Sequence, residues 1–328
     1  MTDFDPLWVP VLTHYEATPK RRLDRTRTAE HLAHIAPYVR QYLIAGTTGD
    51  GWEMSDETLA DWIDFAQTPG ILTQDQTVLF GAFGDTTDAV IVRAQMIEQA
   101  LDAKPLAARY AGLTLCAPVS KTATQGEIAD HFHRILAATT SPIAIYQLPQ
   151  VVHCEIAPET FAALAASDRV TLFKDTSGAD KVAASGVSTG SARLLRGAEG
   201  DYAAQMKPNG KYDGWLLSTA NGLAPQLRAI ADKVASGDQQ SATTDSKRVS
   251  ELVVSLFAAA EGLPHGNPFS NANRAVDHIL AYGQGWRNAP ATIASGPALP
   301  EDFLASIEAL LNDAGLATNA GYISAKAA

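Results

Sequence analysis

Lys174 is the residue whose setting points most directly to chemistry. It ends an apolar run, Val170-Thr171-Leu172-Phe173, and is followed at once by Asp175-Thr176-Ser177-Gly178. An ammonium at the mouth of an apolar strand is partly desolvated, which disfavours its charge and frees the amine as a nucleophile. Such an amine can condense with a ketone to a Schiff base. Taken alone, a lysine at a strand end is as often merely solvated, so the reading depends on what stands at equivalent places. Gly46-Thr47-Thr48-Gly49-Asp50-Gly51 is a hydroxyl-rich glycine turn, Tyr146 ends an apolar run before Gln147-Leu148-Pro149, and Ser218-Thr219-Ala220-Asn221 is a small polar segment. Each has an ordinary reading: a tight turn, a core tyrosine with its hydroxyl outward, hydroxyls satisfied by loop backbone. Together they supply what a carbonyl lyase needs. The amine captures a ketone, the amides and hydroxyls of the glycine turn hold a carboxylate, and the phenol shuttles a proton.

These residues must be brought to one place, and the pattern of elements does so. Short β-branched runs alternate with longer amphipathic ones over the first ~235 residues, as repeated βα units do. The expected strands are Trp8–Thr13, Tyr42–Gly46, Thr77–Ala82, Gly112–Ala117, Pro142–Gln147, Val170–Lys174, Ala192–Arg196 and Gly214–Thr219. Helical spacing is expected over Thr28–Val39, from Ser55 as an N-cap, and over Thr87–Leu101, Gln125–Ala138 and Ala157–Ala166. Eight such units predict an α/β fold, a (β/α)8 TIM barrel, with chemistry at the C-terminal ends of the strands. An open doubly wound sheet would carry a glycine-rich nucleotide loop after strand one; Thr13-His14-Tyr15-Glu16 stands there instead. The barrel is expected to occupy residues 1–235. A C-terminal helical extension over 236–328, joined through Gly237-Asp238-Gln239-Gln240-Ser241, contains helices at Lys247–Ala260, Asn271–Leu280 and Pro300–Ala314.

Composition narrows the classes. The chain has 328 residues, 46% hydrophobic and 19% charged, an ordinary globular balance. A net charge of -11 without a strong basic run argues against nucleic acid as a partner. Lys20-Arg21-Arg22 with Arg25 and Arg27 reads as a solvated loop leading into a helix. No apolar stretch nears the ~20 residues that span a bilayer, and Met1–Asp5 lacks signal-peptide character, so no membrane partner and a cytoplasmic location are expected. Cys116 and Cys154 are the two cysteines and offer neither a disulfide framework nor zinc spacing. His131 and His133 point apart on a helix. His31 and His34 share a face but lack an evident third ligand, so solvated helix histidines and no metal are expected. His14 and His153 lie near the active rim.

At these residues the chain resembles the class I pyruvate aldolase family of dihydrodipicolinate synthase and N-acetylneuraminate lyase. Gly46-Thr47-Thr48-Gly49-Asp50 is similar to that family's Gly-Thr-Thr-Gly-Glu, Tyr146-Gln147-Leu148-Pro149 to Tyr-Asn-x-Pro, and Phe173-Lys174-Asp175-Thr176-Ser177-Gly178 to its Schiff-base segment. Gly197 lies where a Ser-Gly-Asp turn is expected, and Asn267-Pro268-Phe269 resembles a C-terminal Asn-Pro segment. The resemblance implies Lys174 as the Schiff-base lysine and Tyr146 as the acid/base. It implies Thr48 as a proton relay, and Thr47, Thr48 and Gly49 around the carboxylate of pyruvate. Gly197, Glu199 and Ser218 complete the expected substrate-binding set, and no cofactor is expected. A homotetramer or homodimer is the implied assembly.

Three departures bear on the substrate. Val151 stands where the synthase has an arginine for its second substrate's carboxylate. Pro118-Val119-Ser120-Lys121 lacks the family's tyrosine pair, and Glu199 is the one counterpart of the sialic-acid lyase's acidic residues. A lyase that forms or consumes pyruvate and an aldehyde, acting on a 4-hydroxy-2-oxo acid or 2-oxo-3-deoxy sugar acid, fits best. Two alternatives are a dehydratase using the same enamine and a non-catalytic 2-oxo-acid sensor.

Overall fold

A computed structural model describes residues 4–323. Its strands are β1 (Leu7–Pro10), β2 (Gln41–Ile44), β3 (Thr77–Gly81), β4 (Arg109–Cys116), β5 (Ile143–Gln147), β6 (Val170–Asp175), β7 (Arg193–Arg196) and β8 (Gly214–Leu216). Each pairs in parallel with the next, and β8 returns to β1 to close the barrel. Between the strands lie α1 (Arg25–Ile35), α2 (Asp56–Ala66), α3 (Thr87–Ala103), α4 (Gln125–Ala138), α5 (Pro149–Val152), α6 (Pro158–Leu164), α7 (Lys181–Ser185) and α8 (Tyr202–Gln205). After β8 come α9 (Ala224–Ser236), α10 (Gln239–Ala260), α11 (Pro268–Tyr282) and α12 (Glu301–Asp313).

Local chemistry sets the helix ends and corrects several expected boundaries. Helix α1 begins before Thr28 because the Asp24 side chain accepts from the Arg27 amide, and it stops at Ile35, just ahead of Pro37. Helix α4 carries a full capping box, Thr124 with Glu127. The stretch expected to link barrel and extension is largely helical. Gly237, at a φ of 83°, ends α9, and Asp238 caps α10 through the Ser241 amide. Strand β8 stops at Leu216 because Ser218–Asn221 coil into a 3-10 turn, held by the Asn221 amide donating to the Ser218 and Pro10 carbonyls.

The barrel interior is built in layers. Trp8, Leu43, Leu79, Ala144, Leu172, Leu195 and Leu216, from seven different strands, meet in one buried cluster. Only the inside of a barrel lets side chains from that many strands converge. Because side chains alternate across a strand, the next inward position lies two residues further on. From Ala144, Leu172, Leu195 and Leu216 this step leads to Tyr146, Lys174, Gly197 and Ser218. The apolar layer is therefore a floor, and the candidate site residues stand directly above it. A larger core between barrel and helices takes in Val249 and Val253 of α10, whereas Leu256 and Ala260 of the same helix join α11 and α12 in a second core.

Candidate active site

Strand register brings Lys174 and Tyr146 together. They are direct partners across the β5–β6 pair, and Lys174 faces Leu195 on β7. The Lys174 amine lies over the Tyr146 ring, 4.0 Å from its centroid, with both side chains buried. Among the described residues no carboxylate pairs with Lys174, and no hydrogen-bond partner holds the Tyr146 or Thr48 hydroxyl. These three uncommitted groups line a cleft of about 550 Å³ that also takes in Thr47, Thr176, Gly197, Glu199 and Ser218.

The outward-facing neighbours of these residues are tied down, which fixes the strand ends. Gln147 clasps both backbone groups of Ile156, and Asp175 accepts from the amide and hydroxyl of Ser177 and from the Tyr212 hydroxyl. Burial raises the Asp175 carboxyl above its usual range, and these donors offset the shift only in part. Arg196 donates to the carbonyls of Ala198 and Gly200 and so holds the loop that presents Glu199. Glu199 is half-buried. It accepts from the Ser218 hydroxyl at 2.9 Å, the Thr219 amide at 3.2 Å, the Thr219 hydroxyl at 2.7 Å and the Tyr202 hydroxyl at 3.0 Å. Burial raises its carboxyl, against the pull of those bonds.

The glycine turn forms one turn of 3-10 helix over Thr47–Gly49. The amides of Gly49, Asp50 and Gly51 bond back to Gly46 and Thr47 carbonyls. The Thr47 and Thr48 amides lie at the N-terminal end, where the turn itself offers no acceptor. Gly49 supports this turn from behind: a Cβ on it would stand 2.4 Å from the Val11 carbonyl oxygen of the β1 segment. The turn is further anchored by Asp50, buried and bonded to Arg274 of α11 at 2.6 Å, while Arg274 also donates to the Thr13 carbonyl.

Gly197 has a steric role. A Cβ there would come within 2.8 Å of the Lys174 Cε and 2.3 Å of the Thr176 hydroxyl. A Gly197→Ala variant should therefore displace the lysine by a fraction of an ångström or more and lower kcat/KM by roughly 10²-fold. Steady-state kinetics beside a melting curve checks this: near-normal turnover in a folded variant would show that Lys174 needs no such clearance.

Several expectations about histidines and cations need correction. His31 and His131 are not solvated. His131 is buried, bonding the Cys116 carbonyl and Thr87, while His133 is exposed. His31 is fully buried, one ring nitrogen on Asp277 at 2.8 Å and the other on Asn221 at 3.0 Å. His34 stacks on Tyr322. Arg27, expected in a solvated basic stretch, is buried and bonded to Asp277 and Tyr322. Burial alone would raise the Asp277 carboxyl; the Arg27 guanidinium and His31 outweigh it and hold the carboxyl well below its usual range. His14 joins this cluster rather than the Lys174 cleft, and burial and Arg27 push its pKa well below the ordinary value. The ligand atoms of His14, His31 and Asp277 lie within 4.8 Å of one another. Arg27 supplies a cation to Asp277, and both His31 nitrogens are engaged, so the group is bonded as a buried ion-pair network. His153 is exposed at the end of α5, and Ser120 lies in a separate depression beside His131, so neither lines the cleft.

Residues 19–266 match the model of the dihydrodipicolinate synthetase family. The chain belongs to that family. It is 26% identical over 229 residues to a 4-hydroxy-tetrahydrodipicolinate synthase of Exiguobacterium, covering 68% of this chain and 72% of that protein. The fold is similar to that of YagE, a prophage protein of the dihydrodipicolinic acid synthase family from E. coli K12 determined in complex with pyruvate. The TM-score is 0.77 at 18% identity, over 95% of this chain and 99% of that one. KD(P)GA from T. tenax is similar too, with a TM-score of 0.73 at 21% identity and the same coverage. Within this family the cleft has one wall that sequence reasoning missed: Val253, Val254 and Phe257 of α10 line it together with the Asn267–Phe269 segment. The i, i+3, i+4 spacing of Val253, Leu256 and Phe257 was the available signal, and it reads equally well as a buried helix face.

Proposed function

We propose that this protein is a class I lyase that cleaves or forms a 4-hydroxy-2-oxo acid, with pyruvate and an aldehyde on the other side. The observation that carries the reading is the register pair Lys174–Tyr146, uncommitted, above an apolar floor and beside the Thr47–Thr48 turn. In the cleavage direction the neutral Lys174 amine adds to the C2 carbonyl. The carbinolamine hydroxyl leaves as water with the proton of Tyr146, giving an iminium and a phenolate. The phenolate takes the proton of the C4 hydroxyl, directly or through Thr48. The C3–C4 bond then breaks, the aldehyde departs, and its bonding pair forms the enamine. Tyr146 returns the proton to C3. Water adds to the new iminium, the phenolate takes the released proton, and pyruvate leaves with the free amine. Thr47 and Thr48 hold the carboxylate throughout, and Gly49 keeps their turn close to β1. Gly197 clears space for Lys174, and Ser218 and Glu199 form the wall beside the reacting carbons. A homotetramer or homodimer in the cytoplasm is compatible with this reading, and solution mass measurement tests the assembly.

Val151 lines the cleft where the resemblance places an arginine, and among the described residues Lys174 is the sole cation lining it. A second substrate that brings its own carboxylate would be buried there without a partner, which is costly. Negligible condensation of pyruvate with aspartate semialdehyde is therefore expected, alongside pyruvate release from an uncharged-tail 4-hydroxy-2-oxo acid. A panel of 2-oxo acids with pyruvate detection tests both. Efficient condensation overturns the substrate argument, and loss of water with all carbons retained reassigns the enzyme as a dehydratase.

A further inference from the structure

The cleft is much larger than a three-carbon acid needs, so most of it belongs to the aldehyde portion. Its outer wall is apolar. Leu148, Val151, Val253, Val254, Phe257 and Phe269 supply it. Phe257 of α10 and Phe269 of α11 pack edge to face with ring centroids 5.0 Å apart, so the wall joins two helices. Val254 is 68% exposed and Phe269 41% exposed, two of the three most exposed large hydrophobic side chains among the described residues. Both open onto this same cleft, which leaves apolar surface uncovered next to the reactive groups.

Away from Lys174, Tyr146 and Thr48, most polar side chains of the cleft are already spent on the protein itself. Each Glu199 oxygen accepts two hydrogen bonds, which fills the roughly four acceptor sites of a carboxylate. Ser218 donates to Glu199, Ser250 to the Ser246 carbonyl, Ser177 to Asp175, and the Gln150 amide to the Thr176 carbonyl. The Thr176 hydroxyl is buried without a partner, but it lies by Gly197 and the Lys174 side chain, at the reacting carbons rather than at the outer wall. A polyhydroxylated tail would lose its water here and find few partners in exchange.

We infer that the aldehyde portion is apolar, a hydrocarbon or aryl substituent at C4, rather than a sugar chain; this rests on the Schiff-base reading of Lys174. The tail lies against Val254, Phe257 and Phe269 and covers the surface they expose. Two substrates of equal length compare the alternatives, a 4-hydroxy-2-oxo acid with a butyl or phenyl group at C4 and one with a polyhydroxylated tail. Pyruvate trapping by borohydride is run in parallel. About tenfold or greater preference in kcat/KM for the apolar tail is expected, from half-burial of a four-carbon chain. Val254→Ser, at an exposed position where folding is not at risk, should reduce that preference several-fold. Equal or faster cleavage of the polyhydroxylated acid, or cleavage of neither while pyruvate is still trapped, overturns this inference and leaves the lyase reading intact. Failure to trap pyruvate overturns both. A Val254→Ser variant with unchanged preference but altered assembly mass assigns the wall to a second copy of the chain, and overturns the inference as well.

Discussion

Replacing Lys174 by alanine should lower turnover by on the order of 10⁴–10⁶-fold, the scale seen when a covalent nucleophile is removed from a group of residues that act as a unit. The fold should survive. The lysine is buried, yet among the described residues no carboxylate depends on it, so its removal strands no buried charge. The loss of its methylenes from above the Leu172 layer is offset by relief of a desolvated amine, and stability should change by about 1 kcal/mol or less. Steady-state rates paired with thermal melts check both parts. A folded Lys174→Ala enzyme with substantial activity would remove the amine from the reaction.

Tyr146→Phe should behave differently. The ring that supports the lysine remains, packed 6.2 Å from Phe83, and only the hydroxyl is lost. A positioned acid–base group contributes ~10²–10⁴-fold, so kcat should fall by that factor. Schiff-base formation depends on the amine and should still be detectable, if slower, because the same phenol assists loss of water. A rate near wild type would make Tyr146 structural and require another base. Thr48 and Thr176 are the uncommitted hydroxyls left nearby.

How much of this was legible in the chain depends on sequence distance. Local signals identified the eight strands, and the candidate site residues were read from their C-terminal ends. Eight βα units already implied a closed barrel, as found; that Tyr146 sits opposite Lys174 needed register, which alternation alone does not provide. Strand β4 shows the limit: Gly112, at a φ of 123° and against the Pro142 carbonyl, marks a register shift, and the strand runs through it to Arg109 rather than beginning there. The histidines went astray for the same reason. His31 meets Asp277 and Asn221, which are 246 and 190 positions away, and no local pattern on α1 records them. Asp50 and Arg274 are likewise 224 positions apart. The α10 wall is a subtler case. Helical spacing showed an apolar face, but the question of whether that face meets another helix or an open cleft is decided by tertiary packing.

The most direct test of the central claim is reductive trapping. The protein is incubated with pyruvate and borohydride, digested, and mapped by mass. A single reduced pyruvyl group on the peptide that contains Lys174 is the predicted result, absent from Lys174→Ala. An adduct on any other lysine, or no adduct at all, would contradict the account.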